Sequence, residues 1–368
     1  MAVWNSIKNK YFKKSKKKPK RIVVIGDFAE GKKVYSGQTA KVRDYYYFLK
    51  KKFGEEYVFF IDTSGWKKKF MEILLSVICD CFKCEKIVLL LCGDGYGIKI
   101  CLPIFLFLKK ITRNKIYFSV IGGGLLNNYD KRKVLKKQFK QLNAIYVETK
   151  TMQKFLKNRG HNNVYYAPVF SKRKGVSIDE LDKQCNEPFL LCTYSRVIKE
   201  KGISDAIDAV NAVNKRANRI VCLLDVYGPP IGNYVDEFNQ KIAESSGSVR
   251  NHPLLEDKNA IQELSKHYLM LFPTYYSGEG FPIALIECMK AGLPVIATDW
   301  HFNSELIDND KTGLIYNRKE KNKLSEFIEK LINDPCKVYE MKKNCIKKSF
   351  EFEPDVVLQH LYKELELC

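Results

Sequence analysis

The stretch Glu279-Gly-Phe-Pro-Ile-Ala-Leu-Ile-Glu287 decides how this chain reads. An acid is followed by Gly280, a bulky Phe281 and Pro282, and then an apolar run begins. Proline suits the first turn of a helix, where its missing N–H costs nothing. The spacing predicts a tight loop over Gly280–Pro282 and a helix from Ile283 to Ala291, ended by Gly292. The unpaired N–H groups at such a helix start, Ile283 and Ala284 after Pro282, make an anion site. Glu279 would stand at its mouth, with Glu287 more than a turn inside. A carboxylate can accept from two neighbouring hydroxyls. Two of them flanking N–H donors suit a ligand with phosphate in its middle and polyol at its ends, as in a nucleotide-sugar. The plainer alternative is a surface helix with one acid favouring its dipole.

Around this stretch lie Leu271-Phe-Pro-Thr-Tyr-Tyr-Ser-Gly, Ala291-Gly-Leu-Pro-Val-Ile-Ala-Thr298, Ser304-Glu305-Leu-Ile and Thr312-Gly-Leu-Ile-Tyr316. Together they resemble the C-terminal domain of retaining GT-B glycosyltransferases of glycosyltransferase family 4. The resemblance is dense from Phe189 to Tyr316 and thinner before. It implies an α/β chain of GT-B fold, with two doubly wound Rossmann-like domains and an active site in the cleft between them.

Size and pattern agree. At 368 residues the chain exceeds an ordinary single domain and suits two of about 150–200 residues. Hydrophobic content of 45% supplies sizeable cores. Apolar, β-branched runs at Arg21–Gly26, Val58–Ile61, Lys86–Leu91, Ile116–Ile121, Ala144–Glu148 and Val164–Ala167 read as parallel strands alternating with helices. Those helices are expected at Thr39–Phe53 with Thr39 as cap, Lys67–Phe82, the apolar run Ile100–Leu108, Asp130–Leu142 and Thr151–Arg159. The alternation restarts at Phe189–Tyr194 and recurs at Ile220–Tyr227, Val249, Met270–Phe272 and Val295–Ala297. This division gives a basic tail 1–20, an N-terminal domain 21–172, a polar linker 173–187, a nucleotide-sugar domain 188–352, and a final helix, 353–368. By the resemblance that helix packs back onto the first domain.

Lys plus Arg number 63 against 42 acids, a net charge of +21. Such an excess suits nucleic acid, an acidic membrane surface or phosphorylated substrates. The first twenty residues hold eight Lys and no acid, with Trp4, Ile7, Tyr11 and Phe12 interspersed. They read either as an amphipathic helix on an anionic membrane surface or as a solvated tail. They lack the apolar core of a signal peptide, and no run reaches the ~20 residues of a membrane span. Twelve scattered Cys fit reduced thiols, so the expected location is cytoplasmic, peripheral to the inner face of the membrane. Cys79-Asp-Cys81-Phe-Lys-Cys84 lacks the second pair of a zinc site, and buried thiols are the better reading.

Ser195-Arg196-Val-Ile-Lys-Glu-Lys201-Gly202 follows a predicted strand, where a cation pair can hold a diphosphate. It resembles the family's Gly-Arg-x(4)-Lys-Gly element, with Ser195 in the Gly position. The resemblance makes Arg196 and Lys201 the neutralisers of the leaving diphosphate. Ser36-Gly37-Gln38 opens the first helix and resembles the family's glycine loop, so Gly37 and Gln38 join the donor side. Glu305 joins it by the same resemblance, and Leu254 lies in the Asn251–Leu255 loop expected beside the base. Many members carry a His at the end of the fourth strand, where this chain has Gly122-Gly123-Gly124. Gly122 and Gly123, with Asp94 and Glu148 at neighbouring strand ends, are the candidates on the acceptor side. No chemistry is assigned to His161, His252, His267, His301 or His360.

The expected activity is retaining transfer of a hexosyl group from a nucleotide-sugar, a UDP-sugar by the family's commonest habit. The acceptor would be a lipid-linked glycan or one of lipopolysaccharide, O-antigen or capsule. Glu279 would hold the sugar's hydroxyls and Glu287 the ribose. No cofactor and no metal are expected, because no Asp-x-Asp element follows a strand. A GT-B 2-epimerase is the second reading, which the glycine-rich strand end disfavours. A basic nucleic-acid-binding protein is the third, without a recognisable module to support it.

Overall fold

The computed structural model describes residues 21–31, 37–92, 97–182, 186–256, 258–320 and 322–366. The basic tail, Ser36 and Asp94 lie outside them.

The chain forms two compact units, residues 1–168 with 358–368, and residues 169–357. In the first, six parallel strands are β1 Ile22–Gly26, β2 Val58–Asp62, β3 Lys86–Cys92, β4 Lys115–Ile121, β5 Ala144–Val147 and β6 Val164–Tyr166. They lie in the order β2-β1-β3-β4-β5-β6. In the second, β7 Phe189–Tyr194, β8 Cys222–Tyr227, β9 Val249–His252, β10 Leu269–Phe272, β11 Val295–Thr298 and β12 Gly313–Tyr316 lie in the order β12-β11-β10-β7-β8-β9. Every pairing is parallel, for example Phe189 with Cys222 and Met270 with Val295. Parallel strands are covered on both faces, so they read as continuous apolar runs. β1 and β11 are accordingly buried at every position.

Each sheet reverses its strand order once, at β1/β3 in the first unit and at β7/β10 in the second. Such switch points open a crevice beyond the strands' C-terminal ends, where ligands of doubly wound sheets bind. The residues after β7 and β10 are those that the sequence singles out.

Several elements differ from the sequence reading. The first helix starts at Gly37, and Thr39 is buried inside it rather than capping it. In place of one helix over Asp130–Leu142, short helices cover Leu125–Tyr129 and Lys133–Phe139, and Asp130, between them, accepts from Arg159 on both carboxylate oxygens. The apolar run near Ile100 starts as a wide turn, Gly97–Cys101, and becomes α-helical at Leu102–Thr112 with Pro103 in its first turn. The stretch read as a linker is built into the second unit. Val176 N–H donates to the Lys290 carbonyl, and Ile178–Glu180 forms a 3-10 turn under a Ser177–Glu180 capping box. The final helix is split into Pro354–Val357 and Gln359–Leu365. The second piece lies against the first sheet: Tyr117 and Lys86 donate to the carbonyls of Glu364 and Glu366, and His360 stacks on Tyr165 at 3.6 Å.

Cys81 and Cys84 are buried, and burial pushes the Cys84 thiol up to about 12. Among the described residues no three His, Cys, Asp or Glu side chains are grouped to hold a metal, and no helix is long and apolar enough to cross a membrane.

Candidate functional site

Three loops meet at the switch point of the second sheet. The loop after β7 ends in a tight turn, Lys199–Lys201, closed by Gly202 at φ 71°. A Cβ at Gly202 would stand 2.2 Å from the Pro273 carbonyl oxygen, so only glycine lets this turn press against the loop after β10. The two loops are then stitched by Tyr275 N–H, which donates to the Glu200 carbonyl at 2.8 Å. The loop after β11 joins them. Thr298 Oγ1 donates to the Thr274 carbonyl at 2.6 Å, and Trp300 Nε1 to the Tyr276 carbonyl at 2.8 Å.

This stitching brings Arg196, Lys201 and Glu279 together. Lys201 Nζ donates to Glu279 Oε2 at 2.5 Å, and Thr274 Oγ1 donates to the same oxygen at 3.0 Å. Lys201 is 7% exposed and Glu279 8%, so the pair works in low dielectric. Tyr276 supports both cations: its ring lies 5.0 Å below the exposed Arg196 guanidinium and 5.4 Å from Lys201 Nζ. Gly280 is half-buried and Phe281 and Pro282 are buried behind Glu279. Pro282 is extended, the helix Ile283–Lys290 starts after it without a side-chain cap, and Ile283 and Ala284 are half-exposed. Its first N–H groups therefore lack a side-chain acceptor, as an anion site requires.

Glu287 lies more than a turn inside that helix, as the spacing predicts. It is buried and already accepts from Ser171 Oγ at 2.9 Å, Arg173 at 2.7 Å and the Tyr194 hydroxyl at 3.0 Å. Burial, with the Glu287 charge beside it, pushes the Tyr194 phenol well above its ordinary range. Lys290, one turn on, is 1% exposed and is held by the carbonyls of Ser171 and Arg173 and by Glu353. Glu287 thus anchors the chain's entry into the second unit.

Of the remaining donor candidates, Leu254 is exposed in the loop after β9, which Asn251 ties to the carbonyls of Val226 and Gly228. Glu305 is half-buried on the short helix Asn303–Leu306 that follows the β11 loop.

In the first unit, Gly37 and Gln38 are exposed at the start of the first helix. Gln38 accepts from Cys92 Sγ at 3.1 Å, and its amide nitrogen lies 3.7 Å from where a Gly122 Cβ would stand. Gly122 has φ 76°, and Gly123 is half-buried beside it. Glu148, the other acid expected on the acceptor side, is buried beneath this turn. It is 2% exposed, takes Lys41 Nζ at 2.7 Å on one oxygen and the Gly122 N–H at 3.0 Å on the other. Lys41 also donates to the Val120 carbonyl at 3.0 Å, so the Lys41–Glu148 pair fixes the glycine turn after β4.

The sequence reading passed over Thr274, Tyr276, Arg173, Tyr194 and Lys41. Thr274 and Tyr276 lie within the quoted stretch and carried a signal. Arg173 lay in the supposed linker and Lys41 on a predicted helix, more than a hundred residues from their partners.

Residues 177–352 match the family model described as "Glycosyl transferases group 1". Among curated proteins, the chain is 29% identical over 163 residues to the UDP-N-acetylglucosamine–peptide N-acetylglucosaminyltransferase GtfA subunit of Streptococcus gordonii, covering 42% of this chain and 31% of that one. It is 19% identical over 208 residues to the N,N'-diacetylbacillosaminyl-diphospho-undecaprenol alpha-1,3-N-acetylgalactosaminyltransferase of Campylobacter jejuni, covering 56% of this chain and 52% of that one. The chain thus spans about a third to a half of these relatives. Among solved structures, Anabaena HepE in complex with UDP superposes with a TM-score of 0.67 at 14% identity, covering 94% of this chain and 99% of that one. This likeness shows the fold, a GT-B pair of parallel six-stranded α/β units, and the family match supports a glycosyltransferase.

Proposed function

We propose that this chain is a retaining glycosyltransferase that moves a hexosyl group from a UDP-sugar to a lipid-linked or lipopolysaccharide- or capsule-type glycan. The observation that carries the reading is the grouping of Arg196, Lys201 and Glu279 around Tyr276, beside an uncapped helix start. The UDP in the HepE complex and the diphospho-undecaprenol in the Campylobacter relative's name support the donor and the acceptor class.

In this reading the bond from the sugar's anomeric carbon to the diphosphate oxygen breaks, and the electron pair leaves with the diphosphate. Arg196, Lys201 and the N–H groups at Ile283 and Ala284 oppose that developing charge, and electrostatic stabilisation usually supplies the largest share of catalysis. The acceptor hydroxyl forms the new bond on the same face, and its proton passes to the departing oxygen. Glu279, oriented by Lys201 and Thr274, holds hydroxyls of the transferred sugar. Glu287, held by Ser171, Arg173 and Tyr194, accepts from the ribose hydroxyls. Ribose therefore meets a carboxylate that Arg173 already holds in place. Residues of the glycine turn after β4 face the acceptor.

The family match and the relatives do not favour the epimerase reading. The test is a thermal-shift panel of UDP, GDP and ADP with their common sugars, on the wild type and on Arg196→Ala. A ligand at 100 times its Kd adds about 2.7 kcal/mol of stability. UDP stabilisation that weakens in Arg196→Ala supports the reading; no response to any nucleoside diphosphate sinks it.

A further inference from the structure

The first unit holds a pocket of about 230 Å³ whose lining is almost wholly apolar. It lies at that sheet's own switch point, beyond the ends of β1 and β3, where doubly wound folds bind ligands. The helix Trp66–Cys81 lines it through Trp66, Phe70 and Leu74, and the helix Leu102–Thr112 through Ile104. The polar lining is confined to Asp27 and Thr63, just after β1 and β2, and Gln38, in the first turn of the helix Gly37–Phe53. Ile121 lines the pocket just before Gly122, and Gln38 reaches the same glycine. The pocket therefore adjoins the turn placed on the acceptor side.

An apolar cavity of ~150 Å³ stays dry and takes a benzene. Scaled by volume, this one holds about nine carbon atoms, close to two isoprene units of a single chain. Lys67, Lys68 and Lys69 lie between the lining residues Trp66 and Phe70 and are exposed, three cations against one acid, Glu72, a turn on from Lys68. They supply the charge complement of a phosphate. Only Val77 and Cys81 of the sixteen residues in that helix are buried, so its displacement to admit a chain costs little packing. Met71 and Leu75, 64% and 46% exposed, continue the apolar surface outward for the rest of a long chain.

We propose that this pocket binds the isoprene units adjoining the phosphate of a polyprenyl-phosphate lipid, leaving the acceptor sugar at Gly122–Gly124. The inference rests on the lipid-linked acceptor of the proposed function and names its recognition element.

The probe is farnesyl monophosphate, titrated by calorimetry into the full chain, with inorganic phosphate and phosphatidic acid vesicles alongside. A double substitution, Leu74→Phe with Ile104→Phe, fills the pocket. Saturable binding of farnesyl phosphate that weakens about tenfold or more in the filled protein is the expected result, since burial of the chain supplies most of the affinity. On the otherwise unsubstituted protein, a decyl phosphate brominated at its tail should quench tryptophan emission, and Trp66→Phe should remove that quenching. The quenching decides the matter if the filled protein does not fold. Absence of saturable farnesyl phosphate binding, affinity unchanged by filling, or binding of the vesicles alone overturns the proposal. UDP stabilisation is read on the same proteins. Its persistence without farnesyl phosphate binding refutes the pocket and spares the donor reading; its absence with farnesyl phosphate binding does the reverse.

Discussion

Lys201 Nζ stands 2.5 Å from Glu279 Oε2, and both side chains are buried. Removing one partner of a buried ion pair leaves an uncompensated charge, which costs about 3–5 kcal/mol. Lys201→Ala should therefore lower the melting temperature as well as activity, whereas the double variant Lys201→Met with Glu279→Gln should recover much of the stability and none of the activity. Thermal unfolding of the three proteins, with transfer rates beside it, checks this. If Lys201→Ala unfolds like the wild type, the pair is not the buried contact described here.

Arg196 is exposed and rests on the Tyr276 ring. Surface changes of this kind alter stability by about 0.5 kcal/mol at most. A hydrogen bond to a charged group is worth about 1.5–3 kcal/mol, so Arg196→Ala should weaken UDP binding roughly ten- to a hundred-fold. The loss should be smaller for UMP, which lacks the second phosphate. Calorimetry with both nucleotides separates the cases, and an equal loss for each would mean that Arg196 does not meet the diphosphate.

Glu148 bridges Lys41 and the Gly122 N–H. Lys41→Met should destabilise by about 3–5 kcal/mol for the same reason as at Lys201. Gly122→Ala should cost about 1–2 kcal/mol, because φ 76° crowds a Cβ. Denaturant unfolding of the two variants gives the order, and a Gly122→Ala loss above that of Lys41→Met would contradict it.

Apart from β12, the strands of both sheets were legible, since buried parallel strands leave unbroken β-branched stretches such as Ile22–Ile25 and Val295–Ala297. The Arg196–Lys201 and Glu279 segments were legible because each is short and follows a strand. The partners of Glu287 were not, since Ser171 and Arg173 lie 116 and 114 residues away and come to it only through tertiary packing. Glu148 and Lys41, 107 residues apart, are the same case. The pocket under Trp66 is built of residues that look like ordinary core in any sequence reading.

Asp225, on β8, accepts from Arg250 at 2.7 and 2.9 Å, from His252 at 2.8 Å and from His267 at 3.2 Å. Burial alone would raise its carboxyl, but the hydrogen bonds from His267, Arg250 and His252 outweigh burial and hold it well below the usual carboxylate range. A carboxyl lowered on folding stabilises the folded chain fully above its unfolded pKa of about 3.9 and loses that contribution as pH falls toward the folded value. Asp225→Asn should therefore lower the melting temperature at pH 7, and the gap to the wild type should shrink as acid is added below about pH 4. The same carboxylate holds His252 against Tyr227, stacked at 5.0 Å, two residues before Leu254. Loss of the carboxylate should loosen that loop, and nucleotide affinity should fall with stability at neutral pH. Melting curves from pH 3 to 7 for the two proteins, with UDP binding measured at the upper end, test both halves. A gap that widens in acid would reverse the sign argued here.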